Sequence, residues 1–237
     1  REFLVGLAGQ VERPDAIVMV SAHHDMAEAV VTSVEAPATI HDFGGFPQKL
    51  FDLRYPAKGD SKLAEEVAAL VAGAGIPVFI DPKRGLDHGA WVPLMLAWPD
   101  ADVPVVQLSI SSTHAPEWHH RVGQALAPLR DRNVLIIGSG SLTHNLREVF
   151  VERRDHDAAV PDWVSAFADW MKERIDAGDT DAVLNAVERA PFGQRNHPTM
   201  DHILPLFTAM GAGGVQAERL HHSYTYGVLA MDAYRFE

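Results

Sequence analysis

Four short strings place histidine beside the small or acidic residues that are common in active sites. They are SAHH at 21–24, DHGAW at 87–91, GSGSLTHNL at 138–146 and MDHILPL at 200–206. A neutral imidazole binds metals and exchanges protons near neutral pH, so each string could serve metal binding or acid–base catalysis. The chain has 13 histidines and no cysteine. Any metal site must therefore use imidazole and carboxylate ligands, and disulfides, thiolate sites and cysteine nucleophiles are excluded.

Each string also has a purely structural interpretation. His23 follows an apolar run, so it could bind a metal at the carboxyl end of a strand or simply mark where the strand surfaces. His88 could be an acid/base group, or it could open a helix that Asp87 caps. The small residues before His144 would let a loop bend sharply, but they complete neither a G-x-S-x-G nucleophile elbow nor a phosphate-binding loop. His202 stands at a predicted helix start, where an acidic neighbour is usually a cap.

The pattern of apolar residues predicts the elements that must position these histidines. Apolar runs predict strands over 16–22, 30–34, 77–80, 103–110 and 134–138, with a closing strand over 225–236. Helical spacing predicts helices over 61–72, 90–98, 117–129, 162–177, 181–189 and 202–210. This alternation predicts an α/β fold, a single domain over residues 1–237 with a central, mostly parallel or mixed sheet flanked by helices. The segment 36–60 is rich in proline, glycine and aromatic residues, and because loops of this length in a compact domain are usually functional, a functional loop is expected there.

The composition of the chain argues against nucleic acids and membranes as binding partners. The net charge of −12 comes without any basic block, which argues against nucleic acid. The sequence has no apolar run of about 18 residues, so no membrane helix is expected, and no signal peptide is visible, so the expected location is the cytoplasm. A homo-oligomer is left open. His119 is expected on a solvated helix face and His197 in a polar loop.

A series of strings in chain order resembles one enzyme family. They are SAH, IHDFGGFP, RYPAKG, DHGAW, VPVVQLSI, SGSLTHNL and DHILPL. The series is similar to the 4,5-DOPA extradiol dioxygenase family, in the superfamily of the protocatechuate 4,5-dioxygenase catalytic subunit. These proteins are class III extradiol ring-cleaving dioxygenases. The resemblance runs from about Pro14 to the C-terminus, and the eight-residue string at 40–47 is its most distinctive part.

The resemblance implies a metal-dependent enzyme that opens the ring of a catechol with O2 to give a semialdehyde. It implies that His23 and His202 are metal ligands. His144 matches the acid/base histidine near the metal, which also touches the metal in some forms of the site, and His88 matches a second proton-handling histidine. The expected cofactor is Fe(II), since non-haem iron held by histidine and carboxylate leaves open positions, and zinc is an alternative in a purified protein.

The sequence departs from the family pattern at a few places. The family has a further metal histidine in an LGHGS string on an N-terminal strand, and the opening Arg1-Glu2-Phe3-Leu4 reads like the middle of a helix, so a preceding segment is expected to be missing. His24 stands where many bacterial members have tryptophan. Arg54 stands where many have histidine, and it could bind a substrate carboxylate or form a surface salt bridge.

Three aromatic residues are candidates for stacking on the substrate ring. They are Phe43, Phe46 and Tyr226, and core packing is the favoured alternative for all of them. Two other functions are weighed against the dioxygenase. One is a zinc-dependent hydrolase on an α/β scaffold, which would use metal-bound water, although no H-E-x-x-H string exists here. The other is a non-catalytic relative that has lost its metal.

Overall fold

The computed structural model describes residues 1–237 and divides into two compact units. Unit 1 comprises Arg1–Thr113 and Ala125–Ser139. Unit 2 comprises His114–Gln124 and Gly140–Glu237. That residues 1–237 act as a single domain stays a prediction. No helix in either unit is both long and apolar enough to cross a membrane.

Unit 1 is built on a five-stranded mixed sheet. Its strands are β1 (Ala16–Asp25), β2 (Ala29–Thr32), β3 (Val78–Asp81), β4 (Val105–Ile110) and β5 (Val134–Ser139). The spatial order is β3-β2-β4-β1-β5. β1 is parallel to both β4 and β5, and β2 is parallel to β3, whereas β2 meets β4 in antiparallel register. This sheet and its helices confirm the predicted α/β fold class.

The burial of the two central strands explains why their apolar runs predicted them correctly. All of Ile17–Val20 on β1 and all of Val105–Ile110 on β4 are buried. A strand covered on both faces needs a continuous apolar run rather than an alternating one. Each of the five strands predicted for the sheet is present, and β1 extends beyond its predicted end to include His23 and His24.

Unit 1 contains four α-helices, of which the last two are capped by aspartates. They are α1 (Glu2–Gly6), α2 (Gln48–Phe51), α3 (Ser61–Gly73) and α4 (His88–Ala97). Asp60 caps α3 by accepting the backbone N–H of Leu63 at 2.9 Å, and Asp87 caps α4 by accepting that of Ala90 at 3.2 Å. A side chain that accepts these otherwise unpaired N–H groups fixes the first turn of the helix. The start of α4 therefore fixes the backbone position of His88.

Unit 2 is mainly helical, and α5 (Pro116–Leu126) lies mostly within it. The remaining helices are α6 (Leu146–Val151), α7 (Asp162–Asp176), α8 (Thr180–Leu184), α9 (Ala186–Arg189), α10 (Gly193–Asn196) and α11 (Leu204–Gly213). The amphipathic α7 buries Trp163, Val164, Phe167, Ala168, Met171 and Ile175. The predicted helix over 181–189 is instead two short helices that meet at Asn185.

The predicted closing strand over 225–236 is wrong as one element. The structure has β6 (Ala217–His221) paired antiparallel with β9 (Ala233–Phe236), and β7 (Tyr224–Thr225) paired antiparallel with β8 (Leu229–Ala230). The chain turns between β7 and β8, where Tyr226 and Gly227 have φ values of 56° and 69°. Left-handed backbone at two consecutive residues ends a strand. The alternating apolar residues therefore belong to separate short strands with a turn between them.

Two histidines that were expected in solvated places are buried. His119 is 1% exposed, and its Nδ1 lies 3.2 Å from the carbonyl oxygen of Ala115. His197 is 2% exposed, and its Nε2 lies 2.8 Å from the carbonyl oxygen of Leu142. In each case a backbone carbonyl oxygen lies within hydrogen-bond distance of one ring nitrogen, and burial lowers the pKa of His197 to about 4.

Candidate active site

The first cluster of candidate site residues lies in unit 1 and consists of His23, Asp42 and His88. Their metal-binding atoms all lie within 4.8 Å of one another. His23 comes from the carboxyl end of β1, His88 is the first residue of α4, and Asp42 lies in the long loop before α2. The imidazole rings of His23 and His88 are tilted by 50° with their centroids 3.9 Å apart.

Asp42 connects the two imidazoles of this first cluster. Its Oδ1 accepts the backbone N–H of His88 at 2.9 Å and lies 3.0 Å from Nδ1 of the same residue. Its Oδ2 lies 3.6 Å from Nδ1 of His23. Burial would raise the pKa of the Asp42 carboxyl, but its interactions with His88 outweigh burial and lower that pKa below its ordinary value. The group between the two rings is therefore a carboxylate at neutral pH.

A buried carboxylate, Asp87, holds the first cluster from beneath. The Ser21 hydroxyl donates to Asp87 Oδ1 at 2.6 Å and accepts the backbone N–H of His23 at 3.1 Å. The Gln107 side-chain amide donates to Asp87 Oδ2, and Arg84 lies 3.4 Å from the same oxygen. Asp87 thus joins β1 and β4 to the start of α4. A fully buried carboxylate needs several such partners to offset its lost hydration.

Glycine at position 89 is required by close packing against the first cluster. A Cβ atom there would lie 2.3 Å from Ser21 Oγ and 3.2 Å from Cδ2 of His23. The carbonyl oxygen of Gly89 also accepts the hydroxyl of Ser139, at the end of β5, at 2.6 Å. The glycine therefore lets α4 begin directly against β1.

His24 does not join the first cluster. It is buried, with 1% of its surface exposed. Burial, with a smaller contribution from the nearby positive charge of Arg84, lowers the pKa of His24 to about 4. The imidazole is therefore neutral at physiological pH.

Aromatic side chains lie beside the first cluster. The Phe43 ring meets the His88 ring edge-on with centroids 5.5 Å apart, and it also contacts Phe46 at 5.6 Å. The half-buried Phe43 packs against the core cluster that contains Trp91. Arg54 is exposed, and its Nη1 donates to the backbone carbonyl oxygens of Phe51 and Leu53 at 2.6 and 2.7 Å.

The second cluster lies in unit 2 and consists of His144, Asp201 and His202. Their metal-binding atoms also lie within 4.8 Å of one another. The rings of His144 and His202 are parallel to within 7°, with centroids 3.4 Å apart. The Asp201 carboxylate pairs with Nδ1 of His202.

The charge of Asp201 is secured by its neighbours in the second cluster. Burial would raise the pKa of its carboxyl, but hydrogen bonds from His202 and Thr199 and the adjacent imidazoles outweigh burial. They hold the pKa of Asp201 well below its usual range. The second cluster therefore also contains an ionised carboxylate at neutral pH.

Backbone packing brings His144 and His202 together. The N–H of Ser141 donates to the carbonyl oxygen of His202 at 2.8 Å, and a Cβ atom on Gly140 would lie only 2.1 Å from that oxygen. The N–H of His144 donates to the carbonyl oxygen of Asn196 at 3.0 Å. Gly140, which follows β5, therefore allows the loop to approach the backbone of His202 closely.

Side chains of the same loop add further anchors. The Thr143 hydroxyl donates to the carbonyl oxygen of Val228 at 2.9 Å and accepts the N–H of Ala230 at 2.7 Å. Asn145 caps α6 and donates to the carbonyl oxygen of Arg195 at 2.6 Å. The residues on both sides of His144 are thus fixed in place.

Tyr226 lies elsewhere in unit 2. Its ring packs against the buried cluster that contains Trp163 and Val228, and it meets the ring of His156 at 5.7 Å. Its backbone N–H donates to the carbonyl oxygen of His156 at 2.8 Å. A direct role for Tyr226 in substrate binding stays a prediction.

The structure thus groups the four predicted histidines into two pairs, and each pair includes a carboxylate. Sequence reasoning assigned no role to Asp42, although it lies within the distinctive string at 40–47. Asp87 was considered only as a helix cap, and its contacts to Ser21 and Gln107 were missed. Imidazole and carboxylate donors suit iron(II), zinc and other divalent transition metals, so the residues present fit a metal of this kind.

Comparison with known proteins agrees with these residues. Residues 5–237 match the family model of the catalytic LigB subunit of aromatic ring-opening dioxygenase. The chain is 42% identical over 228 residues to a 4,5-DOPA dioxygenase extradiol of Beta vulgaris, covering 95% of this chain and 84% of the relative. It is 41% identical over 209 residues to the Escherichia coli K12 protein of the same name, covering 84% and 73%.

A solved structure is also similar. The crystal structure of an uncharacterized protein from Escherichia coli K12 matches with a TM-score of 0.81 and 31% identity, covering 98% of this chain and 90% of that one. The match of the family model extends over both histidine–carboxylate clusters. The chain belongs to the family of the catalytic LigB subunit of aromatic ring-opening dioxygenases.

Proposed function

We propose that this protein is an extradiol dioxygenase that opens the aromatic ring of a catechol with O2 and yields a semialdehyde. The observation that carries the proposal is that each histidine implied by the family stands with a second histidine and a carboxylate. Relatives that share most of the chain are named extradiol dioxygenases. A zinc-dependent hydrolase is therefore not favoured, and neither is a non-catalytic relative.

The metal that we propose is Fe(II), with His23 and His202 as ligands and His144 close to it. When bound, the iron would offer neighbouring open positions to the catechol oxygens and to O2. Asp42 and Asp201 would each orient a ligand imidazole through its Nδ1. Zinc is the metal that we expect in protein purified without added iron, since imidazole and carboxylate ligands hold zinc tightly.

His144 is the residue that we assign to acid–base chemistry. It would accept a proton from a catechol hydroxyl and return it later in the reaction, because imidazole exchanges protons near neutral pH. The parallel ring of His202 and the backbone bond to Asn196 hold His144 in one position. His88 would form a second hydrogen bond with the substrate or its ring-opened form.

Substrate recognition is proposed for Phe43, Arg54 and Tyr226. Phe43 has an aromatic ring at the edge of His88 and is the strongest of these candidates. Arg54 would bind a substrate carboxylate through its planar guanidinium group. A cytoplasmic location and a homo-oligomeric state stay predictions.

Oxygen consumption tests the proposed function. The full-length protein is loaded with Fe(II) without oxygen, and O2 uptake is followed on DOPA, caffeate, protocatechuate and unsubstituted catechol. We expect one O2 consumed per catechol, with a yellow semialdehyde, for at least one substrate. The same protein loaded with zinc is the control and should consume no O2.

The alternative functions give different results in this experiment. A hydrolase would be active with zinc and indifferent to O2. Fully iron-loaded protein that consumes no O2 with any catechol would contradict the proposed function. Protein that does not bind iron at all would favour the non-catalytic relative.

A further inference from the structure

A single carboxylate faces two imidazoles in the first cluster, and it faces both through the same type of ring nitrogen. Asp42 Oδ1 lies 3.0 Å from Nδ1 of His88, and Asp42 Oδ2 lies 3.6 Å from Nδ1 of His23. Neither Nε2 is the nitrogen turned to the carboxylate. One acidic residue can therefore influence which nitrogen of each ring carries the proton.

The charge of the carboxylate decides which ring nitrogen carries the proton. A negatively charged carboxylate attracts an N–H group and repels a lone pair, so a neutral imidazole whose Nδ1 lies nearest to it is favoured with the proton on Nδ1. The proton then sits on Nδ1, and the lone pair sits on Nε2. A metal-binding histidine needs a lone pair on its ligand nitrogen, and its other nitrogen commonly donates to a carboxylate.

The carboxylate of Asp42 is held so that it cannot turn freely between these partners. Its Oδ1 also accepts the backbone N–H of His88 at 2.9 Å. The adjacent Phe43 packs its ring against the edge of the His88 ring. Oδ1 is thus committed to His88, which leaves Oδ2 for His23.

The second cluster repeats the arrangement independently. Asp201 pairs with Nδ1 of His202, the other histidine proposed as a metal ligand. Two carboxylates from unrelated parts of the chain therefore meet a proposed ligand histidine at the same ring nitrogen.

We propose that Asp42 is a positioning residue that keeps the proton of both His23 and His88 on Nδ1, which leaves Nε2 of His23 to bind the metal and Nε2 of His88 to meet the substrate. The proposal rests on the proposed function for the roles of metal and substrate. The protonation pattern itself can be measured without turnover.

The substitution Asp42→Asn separates this role from that of a helix cap. An asparagine keeps its carbonyl oxygen toward the backbone N–H of His88, because its amide group would there oppose another donor. The amide N–H groups then face Nδ1 of His23 and favour a lone pair on that nitrogen. His23 must accordingly move its proton to Nε2, the nitrogen that the metal would need.

The experiment is a long-range proton–nitrogen correlation spectrum of the nitrogen-labelled, metal-free protein, which reports the tautomer of each histidine. We expect His23 and His88 of the wild type to carry the proton on Nδ1, and His23 of D42N to carry it on Nε2. Zinc affinity, measured by competition with a chelator, should fall by about 10-fold to 100-fold in D42N. The iron-loaded variant should lose kcat by a similar factor.

Asp52→Asn is the matched control. Asp52 lies in the same loop region, is exposed and accepts a hydrogen bond from Gln48 at 3.1 Å. It should change neither the histidine tautomers nor zinc affinity. Thermal unfolding of both variants shows whether each is folded, and the wild-type tautomers test the proposal even if D42N does not fold.

Three results would overturn the proposal. The wild-type protein could carry the proton of His23 on Nε2. D42N could keep both the tautomers and the zinc affinity of the wild type, which would make Asp42 only a cap of α4. D42N could lose zinc without a change of tautomer, which would make Asp42 itself a metal ligand. A wild-type protein with the expected tautomers but no O2 uptake would instead contradict the proposed function alone.

Discussion

The two histidine–carboxylate clusters contain the same types of residue but are assembled from different parts of the chain. In the first cluster, His23, Asp42 and His88 come from a strand, a loop and a helix start that are far apart in the chain. In the second, Asp201 is the neighbour of His202, and only His144 comes from a distant segment. The first carboxylate serves two imidazoles that are tilted by 50°, whereas the second serves one of two parallel rings.

The two clusters also differ in the groups that hold them in place. The first is held by side chains, in which Asp87 collects donors from Ser21, Gln107 and Arg84. The second is held by the backbone, in which the loop after β5 lies directly on the carbonyl oxygen of His202. Side chains can rotate to absorb a change, but two backbones in contact can only move apart. The second cluster should therefore be the less tolerant of added volume.

The largest expected effect separates the catalytic roles of the two clusters. His144→Ala should lower kcat by about 10²-fold to 10⁴-fold, the usual contribution of an acid–base residue, and leave the metal content nearly intact. His88→Ala should lower kcat less, because His88 is assigned only a second hydrogen bond. Steady-state O2 uptake and metal analysis of both variants measure this difference. Loss of metal from H144A would make His144 a ligand instead.

The next effect tests the difference between backbone and side-chain support. Gly140→Ala should lower kcat/KM by about 100-fold, because the new Cβ pushes the loop of His144 away from His202 and small displacements of catalytic groups are costly. Gly89→Ala should cost less, since its Cβ meets a side-chain hydroxyl, that of Ser21, which can turn away at the expense of its hydrogen bonds to Asp87 and His23. Gly44→Ala, with nothing within 4 Å of the added atom, is the control. Equal losses of kcat/KM in G89A and G140A would contradict the proposed difference between side-chain support and backbone support.

Stability at acid pH compares the buried histidine of each unit. Burial lowers the pKa of His24 in unit 1 and of His197 in unit 2 to about 4. Between that pH and about 6.5, the unfolded chain binds protons that the folded protein does not, so stability falls as pH falls through this window. His197 alone should account for up to about 3 kcal/mol of that loss.

Denaturant unfolding between about pH 7 and about pH 4 measures this dependence. His197→Asn keeps a donor for the carbonyl oxygen of Leu142 and removes the titrating ring, so its stability should vary less with pH than that of the wild type. A variant with the full wild-type dependence would show that His197 does not contribute.

The smallest effect concerns substrate recognition near the first cluster. Arg54→Leu should raise KM for a catechol with a carboxylate by about 10-fold and leave kcat almost unchanged, since only a binding contact is lost. KM for unsubstituted catechol should not change, and Arg54→Lys should lie between the two because it keeps the charge without the planar fork. An equal rise in KM for both substrates would assign Arg54 a structural role.

Much of the fold followed from the sequence because the central strands are buried on both faces. Continuous apolar runs such as Ile17–Val20 allow few other interpretations. The last strands were misread because alternation does not reveal where a turn lies or which strand is the partner. β9 pairs with β6, which was not predicted at all.

The candidate site was predicted in part for a similar reason. The histidines follow strands or open helices, where position itself suggests chemistry, and the family resemblance assigned roles to them. Asp42 lies 46 residues from His88 in a loop without regular structure, so only the folded chain brings the two together. The burial of Asp87 depends on partners from two strands, which no local pattern contains.

The central claim is that the protein inserts both atoms of O2 into a catechol, and the product formed under isotopically labelled O2 tests it most directly. The iron-loaded protein is given its best catechol, and the product is weighed by mass spectrometry. The account predicts a product with the formula of the catechol plus one O2 and with labelled oxygen in its new carboxylate. A product whose new oxygen comes only from water would contradict it.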